Sequence, residues 1–376
     1  MDDYKKVAQS SQENRINQEV ALVNANPEWV GMGIDQLFIV DVSVFRGPAF
    51  IKERMVVGGE TEKLGRVTEL EVQGKVDEAL EIARKREEGK MSQLSAYLEK
   101  FTSLRHTRIN PEGALSPIAP SMAIESNGSD FSVSIDPHFV EQMKLITGKC
   151  PDTTLVVPFY DHRRGREEAS NVPLAGEQTQ RYIAICDELI TRFGNIIQLE
   201  IGNETNVTRS TNVETFGDLQ FATTSDPHEY ARFYGEVARA LKDKHPSIKL
   251  SLAGLACWDE QYLATVLEDI KLFEQRGGTS QLVDTVSFHP YRENPEEGTT
   301  EIANGRFTGT RRTYQEQLIE FIQLARNYAE AINVTVGEIN FKFDDPKAIS
   351  KLQKANEITQ SSGVVSIIYP GIHVKH

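Results

Sequence analysis

The sequence has little cysteine and little tryptophan, with 3 and 2 residues among 376. The cysteines, Cys150, Cys186 and Cys257, are odd in number and widely spaced. This pattern excludes a disulfide framework and a Cys-x-x-Cys metal site, and it indicates small buried side chains. With 39% hydrophobic and 26% charged residues, the composition is that of a globular protein with a large core.

Long apolar runs and long basic runs are also missing. The opening residues, MDDYKKVAQSSQENRINQEV, lack the apolar segment of a signal peptide, and no run of about 18 apolar residues follows. We therefore expect no membrane partner and a cytoplasmic location. The net charge of −14 at pH 7 argues against nucleic acid as a partner, because phosphate backbones bind clustered Lys and Arg. A neutral or cationic partner fits better.

Short β-branched runs alternate with longer segments of helical periodicity along the chain. Asp-Pro pairs at 136–137, 226–227 and 345–346 indicate helix starts, because Asp caps free amides and Pro fits the first turn. Eight strands are predicted near residues 35–42, 104–110, 153–160, 196–203, 248–254, 283–290, 333–340 and 363–369.

Eight strands alternating with helices are typical of either a closed (β/α)8 barrel or a doubly wound open sheet. Segments leading into strands are short, whereas several segments leaving strands are long and polar. Elaboration at one end favours the barrel, whose functional site lies at the C-terminal ends of its strands. An open sheet would favour a glycine-rich phosphate loop, but GMGID, with Gly31 and Gly33, lacks the third glycine.

We predict one domain, residues 1–376, with two irregularities. An insert at about 52–75, after the first strand, has the pattern of a β-hairpin. The sequence after the eighth strand leaves no room for an eighth helix. An N-terminal helical extension within residues 1–28, with Ile16 and Val20 on one face, is expected to cover that gap.

Carboxylates stand at the ends of the fourth and seventh predicted strands. In IIQLEIGNETN, alternation directs Glu200 and Glu204 into the barrel while Leu199 faces the helices. In VTVGEIN, Glu338 ends its strand, in phase with Val336. Two carboxylates flanking one pocket are what glycoside hydrolysis requires, one to protonate the leaving oxygen and one to attack the sugar carbon.

EIGNE on the fourth strand, FHPY on the sixth and GE on the seventh resemble motifs of clan A of the retaining glycoside hydrolases, whose fold is the (β/α)8 barrel. The resemblance implies that Asn203 binds the sugar hydroxyl next to the reacting carbon. It also implies that Glu204 is the acid/base and Glu338 the nucleophile. Such an enzyme acts on a carbohydrate substrate and requires no cofactor or metal.

The clan also tends to keep an Arg at the end of the second strand and a His or Tyr after the sixth. Arg108, His289 and Tyr291 match these positions. The resemblance implies that Arg108 holds the nucleophile ionised, since a nearby cation lowers a carboxylate pKa. His289 or Tyr291 would hydrogen-bond Glu338 or the substrate.

Other positions leave alternatives open. Asp161 and His162, in FYDH after the third strand, fit either a sugar contact or a loop anchor. Glu200 is interpreted as a structural partner of an Arg or His rather than a catalyst. The tryptophan that the clan commonly has after the eighth strand is absent, and Tyr369 is the candidate substitute. The alternative function is therefore a catalytically inactive barrel that binds carbohydrate or serves as a structural component.

Overall fold

Parallel strands form a closed barrel in a computed structural model of the chain. The strands are β1 Val30–Ile34, β2 His106–Ile109, β3 Asp152–Val157, β4 Ile197–Ile201, β5 Lys249–Leu252, β6 Thr285–His289, β7 Asn333–Ile339 and β8 Val365–Ile368. Each strand pairs with the next in chain order, and β8 pairs with β1. This confirms the (β/α)8 barrel and excludes the open sheet.

The structure describes most, but not all, of the chain. Three predicted site residues, Asp161, His162 and Tyr291, lie outside the described residues, as do the insert at about 52–75 and the segment 370–376 after the eighth strand. The described residues are 2–34, 89, 91–110, 122–127, 130–135, 137–157, 176–194, 197–206, 208–209, 221–223, 226–256, 258–278, 281–290, 292, 294–303, 306–341 and 345–369.

The first barrel strand lies at Val30–Ile34, upstream of the predicted 35–42, and residues 35–42 themselves lie outside the described residues. β1 has the sequence VGMGI, whose two glycines are poor strand formers. Packing explains them, because a Cβ on Gly31 would lie 2.4 Å from the carbonyl oxygen of His106, and a Cβ on Gly33 would lie 2.4 Å from the ring of Tyr369. The glycines of GMGID therefore make room inside the barrel.

Helices surround the barrel and bury its outer face. They are α1 Asp2–Ala25, α2 91–99, α3 Pro137–Lys149, α4 Glu177–Phe193, α5 Pro227–Lys244, α6 Glu260–Gly277, α7 Tyr314–Tyr328 and α8 Ala348–Ser361. The main core lies between strands and helices, and it includes Leu199 and Ile201 of β4, as alternation predicted. No helix among the described residues is both long and apolar enough to cross a membrane.

Helix starts follow the predicted Asp-Pro signals in part. The side chain of Asp226 caps α5 by accepting from the backbone amide of His228 (2.9 Å), with Pro227 in the first turn. The third signal is displaced by two residues. Asp345 instead begins a turn. The backbone amide of Ala348, the first residue of α8, donates to the carbonyl oxygen of Asp345 (3.0 Å).

The N-terminal helix α1 contacts both β1 and α8. Its apolar face is buried, with Val20 5% and Val23 0% exposed. Near β7, Arg15 donates to Glu19 (2.7 Å) and to the side-chain oxygen of Asn340 (2.8 Å). The helix therefore packs against β1 and α8, and its covering of a gap left by a missing eighth helix stays a prediction.

Additional hairpins leave the C-terminal ends of the barrel strands. They follow β2 (Met122–Asn127 with Asp130–Ile135), β4 (Thr208–Arg209 with Phe221–Thr223) and β6 (Thr299–Ala303 with Arg306–Arg312). Within the described residues, elaboration is thus found at the end of the barrel where the sequence predicted the site.

Candidate active site

Strand β4 delivers polar side chains to the C-terminal end of the barrel. Glu200 lies inside the barrel at 1% exposure. The chain then turns sharply, with φ of 86° at Gly202 and 47° at Glu204. Between them, the side-chain oxygen Oδ1 of Asn203 accepts a hydrogen bond from Nη2 of Arg108 (2.8 Å). The predicted pair Asn203 and Glu204 therefore stands where the strand exits.

The backbone of Glu204 is strained, because a left-handed conformation costs a residue with a Cβ about 1–2 kcal/mol. Its amide donates to the carbonyl oxygen of Gly254 after β5 (2.9 Å). The buried side chain of Asn206 pairs with the backbone of Ala256, donating and accepting at 2.9 Å each. Strain that the surroundings maintain in this way is typical of functional positions.

A bulge in β7 delivers Glu338 to the barrel interior. Between Val336 and Ile339, the chain advances three residues while its partner β8 advances two. Val336 belongs to the outer core, so the predicted common phase of Glu338 and Val336 was wrong. A Cβ on Gly337 would lie 2.3 Å from the hydroxyl oxygen of a Ser in β6, so Gly337 and Glu338 both face inward. Bulges commonly redirect side chains in this way beside active sites.

Arg108 of β2 joins the groups of the other strands. It is 2% exposed and forms two bonds with Glu200, from Nε to Oε2 (3.0 Å) and from Nη2 to Oε1 (2.7 Å). Its Nη1 donates to Glu338 and to the hydroxyl of Tyr369 (3.2 Å). Burial acts to lower the pKa of Arg108, but the charges of Glu200 and Glu338 hold it well above its usual value. Arg108 is therefore a permanent cation beside Glu338.

His289, at the end of β6, lies between the two predicted catalytic carboxylates. It is 0% exposed, and its Nδ1 is 3.0 Å from Oε1 of Glu204 and 3.8 Å from Oε2 of Glu338. Glycines make space for its ring, since a Cβ on Gly254 would lie 2.2 Å from Nε2. The histidine thus orients Glu204 and contributes to the field around Glu338.

Tyr369 lies at the end of β8, where the clan commonly has a tryptophan. It is 4% exposed, its ring packs against Gly33, and its hydroxyl bonds to Arg108. Burial raises its pKa well above the usual value, so the phenol stays neutral. These contacts support Arg108, and a platform role for Tyr369 stays a prediction.

The two glutamates stand close together. One ligand atom each of Glu204, His289 and Glu338 lies within 4.8 Å of the others. In the described part of the chain, these are the residues with spacing suitable for a divalent cation. Such a cation would have to share Glu338 with the guanidinium of Arg108. The arrangement therefore suits proton transfer and nucleophilic attack better than metal binding.

Two features of the site were not predicted from the sequence. One is the pair of glycines that leave space for the ring of His289, and the other is the bulge in β7. Gly254, in LAGLA, and Gly337, in VGE, carry no local signal, because their role depends on neighbours from other strands. By contrast, the interpretation of Glu200 as a partner of an Arg is confirmed by its ion pair with Arg108.

The barrel is similar to those of known carbohydrate-active enzymes. CelM2, a bifunctional glucanase-xylanase from a metagenome library, is 11% identical with a TM-score of 0.50, over 72% of this chain and 70% of that one. Cel44A, a family 44 endoglucanase from Clostridium thermocellum, is 11% identical with a TM-score of 0.46, over 71% and 70%. A glucosidase from Croceicoccus marinus is 15% identical with a TM-score of 0.48, over 73% and 55%.

Sequence comparison adds nothing to this likeness, since no protein-family model and no curated protein matches the chain. At these low identities, structural similarity establishes the fold alone. The chain therefore has a (β/α)8 barrel, a fold that it shares with CelM2.

Proposed function

We propose that the protein is a retaining glycoside hydrolase in which Glu204 is the acid/base and Glu338 the nucleophile. The observation that carries this proposal is the approach of two carboxylates from β4 and β7 to within 4.8 Å, with Arg108 bonded to Glu338. Retaining enzymes keep their carboxyl groups about 5–5.5 Å apart, and inverting enzymes about 6.5–9.5 Å. The approach of one oxygen from each carboxylate to within 4.8 Å is compatible with the retaining spacing, and the motif resemblance to the retaining clan is what favours retention over inversion.

In the first step, a carboxylate oxygen of Glu338 attacks the anomeric carbon as the bond to the leaving oxygen breaks. Glu204 donates its proton to that oxygen, and a glycosyl ester forms on Glu338. In the second step, Glu204 accepts a proton from water, whose oxygen attacks the anomeric carbon and releases Glu338 as a carboxylate. Double inversion gives net retention, and no cofactor enters either step.

The neighbouring residues have separate tasks in this mechanism. Arg108 keeps Glu338 ionised by direct hydrogen bonding. The side-chain oxygen of Asn203 already accepts a hydrogen bond from Arg108. The side-chain nitrogen of Asn203 is therefore the group that donates to the sugar hydroxyl. His289 holds Glu204 toward the leaving group. For Tyr291, which lies outside the described residues, a hydrogen bond to Glu338 or the substrate is proposed from the motif resemblance alone.

The substrate is proposed to be a neutral carbohydrate. A chain with a net charge of −14 repels polyanions, and the candidate site itself contains three glutamates against one arginine. Asp161 and His162, which lie outside the described residues, are proposed to contact the sugar. The neighbours described as glucanase, xylanase and glucosidase act on such substrates, which makes neutral glycosides the first to test.

A panel of aryl glycosides tests the proposal. We expect the wild type to release the phenol and Glu338→Ala to lose turnover by roughly 10⁴-fold or more, since the residue forms the covalent intermediate. Azide should restore part of the activity of Glu338→Ala and give a glycosyl azide of inverted configuration. Glu204→Ala should be rescued by azide with retained configuration, because azide then attacks the glycosyl ester.

Glu236→Ala is the matched control, since Glu236 is exposed on α5, and it should match the wild type. Binding of sugars without turnover of any aryl glycoside would instead support the catalytically inactive barrel. Rescue of neither glutamate variant in an active enzyme would reassign the two roles.

A further inference from the structure

Glu200 is a buried charged residue of β4 that the proposed mechanism does not use. It is 1% exposed and lies four residues before Glu204 on β4. Its Oε1 accepts from Nη2 of Arg108 (2.7 Å) and from the amide of Gly254 (3.0 Å), while Oε2 accepts from Nε of Arg108 (3.0 Å). Every one of these donors belongs to a residue that also contacts the candidate catalytic groups.

Gly254 connects Glu200 with Glu204. Its amide donates to Glu200, and its carbonyl oxygen accepts from the amide of Glu204 (2.9 Å). It is packed closely against the ring of His289, because a Cβ there would lie only 2.2 Å from Nε2. A displacement of the Glu200 carboxylate would therefore be passed to the strained backbone of Glu204.

Arg108 connects Glu200 with Glu338. The guanidinium forms two bonds with Glu200, which fixes the plane of the group, and its Nη1 then reaches Glu338. Two buried carboxylates compete for one cation. The charge of Glu200 therefore weakens the stabilisation that Arg108 gives to ionised Glu338.

We propose that Glu200 is a positioning residue for the glycosidase reaction: it orients Arg108 toward Glu338, holds Glu204 through Gly254, and limits the pull of Arg108 on the nucleophile. The catalytic part of this role rests on the proposed glycosidase function. The hydrogen-bond chain that carries it, from Glu338 through Arg108, Glu200 and Gly254 to Glu204, stands on geometry alone.

Three variants separate charge from shape. Glu200→Gln keeps the size and removes the charge, Glu200→Asp keeps the charge on a shorter side chain, and Glu200→Ala removes both. Gln198→Ala is the matched control, because Gln198 is the preceding inward residue of β4 and its side chain bonds to Thr154 and Thr285.

The kinetic readout is kcat and KM for an aryl glycoside across pH. Glu200→Gln should lower kcat by roughly 10- to 100-fold with KM within about twofold, because a misplaced acid/base affects the transition state. The acid limb of its pH–activity profile should move to lower pH. The reason is that the charge of Arg108 then stabilises the ionised form of Glu338 alone. The other groups facing Glu338, namely His289, Glu204 and Tyr369, are unchanged in the variant.

Glu200→Asp should keep the acid limb in place while kcat falls, and Gln198→Ala should keep both. If the acid limb of the pH–activity profile and kcat were both the same in the wild type and Glu200→Gln, the proposal would be overturned and Glu200 would be a purely structural residue.

A second measurement does not depend on activity. With 13C-labelled glutamate carboxyls, the resonance of Glu338 is assigned by its disappearance in Glu338→Gln, and its titration is compared between the wild type and Glu200→Gln. A midpoint that falls in Glu200→Gln supports the positioning role even if no aryl glycoside is hydrolysed, in which case the glycosidase proposal alone fails. A midpoint that does not fall refutes the positioning role.

Discussion

The two ends of the barrel solve the problem of a polar interior differently. At the C-terminal end, Arg108, Glu200 and Glu338 are charged, buried and bonded to one another. At the N-terminal end lies a cavity of about 530 Å³, lined by neutral groups such as Thr154, Gln198 and Thr285, by exposed charged residues such as Asp152 and Lys249, and at its inner end by Arg108 and Glu200. There the hydroxyl of Thr285 donates to the side chain of Gln198 (2.7 Å), whose amide nitrogen donates to the hydroxyl of Thr154 (3.3 Å).

This contrast shows where the barrel depends on coupling. Buried ions require one another, because an ion left without its partner in a dry interior is costly. Hydroxyls and amides beside a cavity large enough for water can exchange one partner for another at small cost. Substitutions should therefore have effects that spread at the C-terminal end and stay local at the N-terminal end.

The largest expected effect comes from Arg108 of β2, and Arg105, just before the strand, is its control. Arg108→Met leaves Glu200 and Glu338 buried without their cation, which should lower the free energy of unfolding by about 3–5 kcal/mol. Arg105 bonds to Glu28 and Asp152 at the opposite end, and its side chain is 47% exposed. Arg105→Ala should therefore leave the urea midpoint close to that of the wild type. Equal losses in the two variants would refute the contrast.

Much of this architecture follows from sequence patterns that are local. Alternating β-branched runs predicted seven of the barrel strands near their observed places, because each run is buried on its outer face. The first strand was misplaced because Gly31 and Gly33 suit the bulk of His106 and Tyr369, which lie far away in the chain. Propensity alone does not report such a match.

The candidate site was predictable to the same degree. Glu204 and Glu338 were found as carboxylates at strand ends, and Arg108 as the expected partner of Glu338. The bulge that directs Glu338 inward depends on the register between β7 and β8, and the strained φ of Glu204 depends on support from Gly254. Both are properties of paired strands and have no signature within one segment.

Glycine substitutions offer a smaller test of the two ends. Gly254→Ala would place a Cβ 2.2 Å from Nε2 of His289, and we expect a loss of about 1–3 kcal/mol from overpacking, together with most of the activity. Gly363, before β8 at the N-terminal end, has φ of 69° and open space around its Cβ position. Gly363→Ala should cost about 1–2 kcal/mol from backbone strain and leave kcat unchanged. Urea unfolding and kinetics on both variants separate stability from activity, and a comparable loss of kcat in Gly363→Ala would contradict local behaviour.

The smallest expected effect is the pH dependence that His106 contributes at the N-terminal end. Burial lowers its pKa, partly opposed by Asp152, while Arg105 adds to the lowering and Glu28 opposes it. Below the unfolded pKa of about 6.5, the unfolded chain binds the proton more readily than the folded chain, so stability is lost as pH falls. His106→Gln removes this linkage and should lose less stability than the wild type between pH 8 and pH 5.

His228 on α5 provides a control of opposite sign. Its hydrogen bond to Asp269 raises its pKa, so its stabilising contribution is present below the unfolded pKa and is lost as pH rises through the folded one. His228→Gln should therefore be less stable than the wild type at pH 5 and equal to it at pH 8. Urea unfolding of both variants at the two pH values measures the difference. If the two histidine variants deviated from the wild type in the same direction at pH 5, burial would not be the cause of the His106 shift, and the N-terminal end would be more strongly coupled than its neutral groups imply.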